Sequence, residues 1–377
     1  MLYLDHAATT PIDEAIRVGM LERFETRFAN PASAHRAGRQ ARKELEHARQ
    51  RIAQVIGAQS DQLIFTGGGT ESLGLAVLGS AGETPARIAI SSVEHSAISE
   101  SAYWLKERLG WQLDTMPVDE FGLLRPQTVA QMVTSETRIV AVMLVNNEVG
   151  AINDLASIAQ IVRRQAPRAK LIVDGVQAFA KIPLDVSALD ADLLAFTSHK
   201  IHGPKGIGGL WARNLAALRP VFLGGGQEAG LRGGTQCAAL AWGFAEACER
   251  QSQSPKHELG RRCFELLQST VSDLELIGPE FGASRVSHIC SVHVPGIPTG
   301  PLLNSLSDAG VCCSAGSACT RSSRQDFSKV LLAMQRSPDE GAFLRFSVGR
   351  TTTEAELAQA ATIFGHCVAD LRAVYAS

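Results

Sequence analysis

Apolar and polar positions along this chain fall into two alternating registers. From about residue 35 to residue 212, short runs rich in β-branched residues stand between longer stretches with helical spacing. The apolar runs are Gln62–Phe65, Arg87–Ile90, Ile139–Leu144, Leu171–Val173, Leu193–Phe196 and Ile207–Trp211. Helix-length segments lie among them at Ser72–Leu78, Ser96–Leu109 and Ala156–Arg164, and Ala34–Ile56 predicts a long amphipathic helix with many Arg and Glu on one face. Strands that are apolar throughout, alternating with helices, predict an α/β domain with a mostly parallel sheet covered on both faces.

The texture changes after Gly224-Gly225-Gly226. A helix over Ala238–Glu249 leads to a polar break at Gln251-Ser252-Gln253-Ser254-Pro255. Beyond it, Arg285–Val294, Leu302–Ala309, Phe343–Val348 and Glu354–Ala373 read as strand, helix, strand and helix. The expected division is a large α/β domain over 12–250. A smaller α+β domain would be built from 1–11 and 251–377. A length of 377 residues agrees with more than one core.

Composition removes several function classes. A formal charge of −2 supplies no bulk field for nucleic acid or a membrane surface. No apolar run approaches the roughly 20 residues needed to span a bilayer. The start, Met1-Leu2-Tyr3-Leu4-Asp5-His6, lacks the basic and apolar regions of a signal peptide, so the expected location is cytoplasmic. The eight cysteines there would be reduced thiols, and their spacing with histidine has no zinc-type pairing, so no metal is expected. Cys237, Cys248, Cys263, Cys290 and Cys367 sit in apolar or helical contexts, where a thiol packs as a small hydrophobe. Cys312 and Cys313 read as structural residues on a strand. Cys319 differs: it lies in a small, polar segment, Ser314–Arg324, with Arg321 and Arg324 close by to favour a thiolate.

The candidate chemistry gathers just after strands, where ligands of parallel sheets collect. Gln62–Phe65 runs into Thr66-Gly67-Gly68-Gly69-Thr70-Glu71-Ser72 and then a helix. Glycines permit close backbone approach, and free N–H groups with the helix dipole favour phosphate. Leu171–Val173 delivers Asp174, with Gln177 three residues on, and Leu193–Phe196 leads into Thr197-Ser198-His199-Lys200. A lysine leaving the end of a buried strand and entering a glycine-rich turn is unusual, and desolvation there would lower its pKa as Schiff-base chemistry requires. A phosphate cradle, an acid for a ring nitrogen and a lysine for an aldehyde together describe pyridoxal phosphate.

The motifs Tyr3–Pro11, Asn30–His35, Gly68–Ser72, Glu94–Ala97, Asn146–Gly150, Asp174–Gln177, Ser198–Lys200, Gly203–Gly206, Gly224–Glu228, Gly316–Cys319 and Leu344–Ser347 occur in an order that resembles the NifS/IscS-type cysteine desulfurases. These are fold-type I pyridoxal-phosphate enzymes of the class-V aminotransferase kind. The resemblance implies a large domain with a mostly parallel seven-stranded sheet, a smaller α+β domain carrying the cysteine loop, and a homodimer.

It also implies roles for particular residues. Lys200 would hold the cofactor and move protons, Asp174 would pair with the pyridine nitrogen, and His95 would stack on the ring and assist proton transfer. Asn147 and Gln177 would bond near the phenolate oxygen. Gly69, Thr70, Thr197 and His199 would hold the phosphate, with Thr235 reaching that of the other subunit. Asn30, Asn147 and Arg345 would bind the substrate, Arg345 rather than its neighbour Arg350 clamping the carboxylate. L-Cysteine would give alanine, its sulfur passing to Cys319 as a persulfide and on to an acceptor protein. The long segment from Cys319 to Arg345 resembles group I. The small departures at Ala29, Thr197, Gly234 and Ala315 leave the implied chemistry intact. The short stretch after the last helix leaves the acceptor open between an iron–sulfur scaffold and a thiolation of tRNA, DNA or a cofactor. Rival readings are a selenocysteine lyase, another pyridoxal-phosphate lyase or aminotransferase, and a non-catalytic interaction protein of the same fold.

Overall fold

A computed structural model describes residues 1–253, 258–315 and 327–375. Its strands are β1 (Leu2–Tyr3), β2 (Leu63–Thr66), β3 (Arg87–Ser91), β4 (Gln112–Met116), β5 (Thr137–Met143), β6 (Lys170–Asp174), β7 (Leu193–Thr197), β8 (Gly208–Ala212), β9 (Glu275–Leu276), β10 (Ile289–Pro295), β11 (Val311–Cys312) and β12 (Gly341–Ser347). Seven of them form the main sheet in the order β2-β8-β7-β6-β5-β3-β4. Only β8 runs against its neighbours; the others are aligned.

Alternation of side chains across each strand builds the core on both sheet faces. Val140 and Val142 of β5 join Leu171, Val173, Leu194 and Phe196 in one apolar layer, beneath the helices Arg36–Val55, Leu155–Gln165 and Ala238–Ser252. Ile139 and Ala141, from the same strand, join Ile172, Leu193 and Ala195 in the other, under Gly69–Ser80 and Ser96–Leu109.

The six apolar runs read from the sequence all form strands of this sheet. The seventh, β4, carries Gln112-Leu113-Asp114-Thr115-Met116 at the sheet edge, half exposed. β4 is partly open to solvent and so has no continuous apolar run, whereas β2 at the opposite edge is buried throughout. The expected first helix at Ala34–Ile56 is observed as Arg36–Val55, with His35 as N-cap. Arg285–Val294 is shorter than expected: Arg285 precedes β10, and its guanidinium is turned inward to the carbonyls of Ile277, Pro279 and Ile289.

A further apolar cluster lies beyond the main sheet. Val292 and Val294 of β10 and Leu344 and Phe346 of β12 pack with Leu267, Leu302 and Phe364 from the helices Leu259–Thr270, Thr299–Asp308 and Glu354–Tyr375. The first residues of the chain join this cluster: β1 pairs in parallel with β11, and Ser347 N donates to Leu4 O at 2.7 Å. The N-terminal segment then crosses to the main sheet, placing Ala7 and Ala8 beside the end of β7.

Candidate active site

The parallel strands end at one edge of the sheet, and the turns that follow them supply the polar groups. After β2, Gly68 has φ 155°, a backbone angle that side chains rarely adopt, and the helix Gly69–Ser80 begins at once. The N–H groups of its first turn have no partner within the helix and face the strand ends as an anion cradle. A Cβ at Gly69 would lie 2.8 Å from Val176 Cγ2, so the absence of a side chain keeps this cradle open. Glu71 accepts from Gly67 N at 2.8 Å and from Arg232 Nε at 2.9 Å, tying the turn to the loop of Arg232.

Lys200 ends a single 3-10 turn after β7, and its Nζ donates to Ala7 O at 2.7 Å and Ala8 O at 2.5 Å. Burial, aided by the Arg345 guanidinium, lowers its pKa to about 8; Asp5 and Asp174 act in the opposite sense. Asp174 closes β6 in a buried position, with Oδ1 accepting from Val176 N at 2.9 Å. Burial raises its pKa, opposed by that hydrogen bond and by His95 and Lys200. His95 caps the helix Ser96–Leu109, Nδ1 accepting from Ala97 N at 3.1 Å. His199 Nδ1 lies 3.1 Å from Thr9 Oγ1, and burial holds its pKa near about 4, leaving the ring neutral at pH 7.

Arg345, on β12, is 4% exposed. Nη2 pairs with Asp5 Oδ1 at 2.7 Å and Nη1 donates to Asn147 O at 2.8 Å, while Nε is buried with no partner among the described residues. Arg350 points elsewhere, to Asp13.

One cavity of about 630 Å³ is lined by Gly69, Thr70, His95, Asn147, Asp174, Gln177, Thr197, His199, Lys200 and Arg345. Two other expected site residues lie outside it in the single chain. Asn30 is exposed, its Oδ1 accepting from Ala32 N at 2.9 Å, and Thr235 is exposed in the loop before Ala238. Cys319 lies outside the described residues. The chain on either side of that segment borders the site: Ser314 pairs with Arg345 across a bridge, and Phe327 and Val330 line the cavity. Ser328 Oγ donates to Glu148 Oε2 at 2.5 Å.

Four residues at or behind the cavity carried no role in the sequence reading: Asp5, Glu94, Glu148 and Lys181. The first three lie inside quoted motifs, which was their only signal. Glu94 accepts from Met143 N at 2.8 Å, and burial with Asp174 nearby pushes its pKa well up.

Residues 2–359 match the class-V aminotransferase family. The chain belongs to that family. Among class-V relatives, the cysteine desulfurase IscS of Dictyoglomus turgidum is 34% identical over 385 residues, covering 99% of this chain and 96% of that protein. A solved NifS-like protein superposes with a TM-score of 0.87 at 30% identity, covering 98% of this chain and 100% of the other. SspA, solved in complex with cysteine, gives 0.81 at 28% identity, covering 94% of this chain and 100% of the other. The class-V family and its cysteine desulfurases depend on pyridoxal phosphate, and the donor set fits that group. A glycine-opened helix N-terminus suits its phosphate, a buried carboxylate that makes no ion pair among the described residues suits its ring nitrogen, and a desolvated lysine suits its aldehyde.

Proposed function

We propose that this protein is a cysteine desulfurase that takes sulfur from L-cysteine onto Cys319 and hands it to an acceptor protein. The observation that carries the reading is the convergence of Lys200, Asp174, His95 and Arg345 on one cavity, with Phe327 in its lining and Ser314 bridged to Arg345, the two residues that flank the sequence stretch containing Cys319. When bound there, pyridoxal phosphate supplies an electron sink for the carbons of the substrate.

The chain's own residues divide the remaining work. Gly69, Thr70, Thr197 and His199 hold the phosphate, His199 as a neutral donor or acceptor. Asp174 keeps its negative charge once a ring N–H⁺ lies against it, because that cation offsets the desolvation. Arg345 receives the substrate carboxylate, with Nε the group still without a partner. Asn147 and Asn30 assist in substrate binding. Lys200, at a pKa of about 8, takes and returns the proton at the substrate Cα, with His95 lining the same cavity to assist. The Cys319 thiolate attacks the substrate sulfur and forms an S–S bond. The Cβ–S bond breaks with its electron pair going to carbon, and protonation of the carbon skeleton ends in alanine.

The working unit in this reading is a homodimer, with Thr235 reaching the other subunit's phosphate site from its exposed loop. Acceptors of the iron–sulfur scaffold kind and thiolation enzymes both take a persulfide. The test is mass spectrometry of the cofactor-loaded protein after L-cysteine, alongside alanine release. A mass gain of one sulfur on Cys319, and loss of alanine formation in Cys319→Ser, are expected. Alanine formation at the parent rate in Cys319→Ser would overturn the persulfide route.

A further inference from the structure

The side-chain amide of Gln177 has ends of opposite hydrogen-bonding sense, so its orientation decides what it presents to the cavity. Two partners fix that orientation. Nε2 donates to Ala7 O at 2.9 Å, the same carbonyl that accepts from Lys200 Nζ at 2.7 Å. Oε1 accepts from Lys181 Nζ at 3.1 Å. Turning the amide over would set two acceptors against each other at Ala7 and two donors at Lys181, around a side chain only 3% exposed. The second hydrogen on Nε2 is thereby left for the cavity that Gln177 lines.

Lys181 stands four residues after Gln177, at the end of the same run of turns, and lines a second cavity, of about 270 Å³, which shares Lys200 with the first. Its Nζ is also 3.4 Å from His288 Nε2. The charges that act on it, Lys200 and Arg345, are both cations, and its other neighbours His6, His202 and His288 are held neutral by burial. Burial and those cations bring the Lys181 pKa down to about 7. Charged or neutral, Nζ keeps hydrogens to donate to Gln177. A lysine is disfavoured in such surroundings, and an apolar side chain of the same length would fill the space.

We propose that Lys181 is a positioning residue that locks the Gln177 amide with its N–H toward the ring oxygen of the bound cofactor. The inference rests on the cofactor reading above. An N–H donated to that oxygen draws off negative charge and lowers the pH at which the Lys200-bound cofactor loses its proton.

The experiment is a pH titration of the visible absorbance of the cofactor-loaded protein, with circular dichroism to check folding. Lys181→Met and Gln177→Leu should each raise the midpoint by about one pH unit, the worth of one hydrogen bond. Lys181→Arg, which still donates, should return it close to the parent value. Loss of the Lys181 charge alone would raise the midpoint too, so the double variant decides. If Lys181 acts through Gln177, Lys181→Met adds nothing in the Gln177→Leu background. A full additional shift in that background, or no shift in Lys181→Met alone, overturns the proposal. A parent protein that acquires no visible absorbance with pyridoxal phosphate would instead overturn the cofactor reading itself.

Discussion

Lys200 is held by two backbone carbonyls of the N-terminal segment and lies within reach of the charges of Arg345, Asp5 and Asp174. Its depressed pKa makes a kinetic prediction. Capture of pyridoxal phosphate by the apo-protein needs the neutral amine, so the rate should rise roughly tenfold per pH unit and level off above about pH 8. Stopped-flow absorbance from pH 6 to pH 10 checks this; a rate still climbing steeply past pH 9 would mean an ordinary exposed lysine. Lys200, Asp174 and Gln177 were legible because each lies within four residues of the end of an apolar run, and polar residues gathered at a strand end are a local signal. The pairing of Arg345 with Asp5 was not legible, since those residues are 340 positions apart and only the folded chain joins them. Lys181 was hidden for a different reason: lysines are usually exposed, and nothing in its immediate sequence announces burial.

At the level of elements, the cradle depends on a helix that starts without a side chain at its first residue. Gly69→Ala would push a Cβ to 2.8 Å from Val176 Cγ2 and narrow the space between that helix and Thr197. A residue other than glycine is otherwise tolerated there, because Gly69 is inside the helix and the left-handed position belongs to Gly68. The expected outcome is a protein that folds normally but binds pyridoxal phosphate on the order of 10-fold to 100-fold more weakly, a loss of one or two hydrogen bonds to phosphate. Fluorescence titration of the apo-protein measures it, and unchanged affinity would remove the phosphate from this helix end. The elements around the cradle were readable because both faces of β5, β6 and β7 are buried, which writes them as unbroken apolar runs. The half-exposed edge strand β4 and the two-residue strands β1 and β9 have no such run, and long-range partners rather than local pattern make them strands.

The whole molecule leaves apolar surface that a single chain does not cover. The helix Glu14–Thr26 exposes Val18, Leu21 and Phe24, and Phe28 follows it; Val221, Phe222 and Leu223 stand out just before the glycine run. Leu223 is 83% exposed and Phe28 81%, unusual for large hydrophobic side chains in water. Close behind Leu223, the loop that carries Thr235 is anchored from below. Glu228, buried, takes Arg49 on both oxygens at 2.6 and 3.0 Å and Gln236 Nε2 at 2.6 Å. An exposed loop fixed so firmly at its base is suited to meeting another surface rather than moving freely. Phe222 also borders the outer side of the Gly67–Glu71 turn, so a second copy seated on this patch would lie against the phosphate end of the cavity. A charge placed at either exposed position should therefore separate the subunits and weaken cofactor binding together, because burying an unpaired carboxylate in an apolar contact is strongly unfavourable. In light scattering after size-exclusion chromatography, the parent is expected at twice the 40.2 kDa chain mass and Leu223→Asp near the chain mass. Retained dimer in both Leu223→Asp and Phe28→Asp would move the interface elsewhere, and a monomer with undiminished cofactor affinity would detach Thr235 from the phosphate.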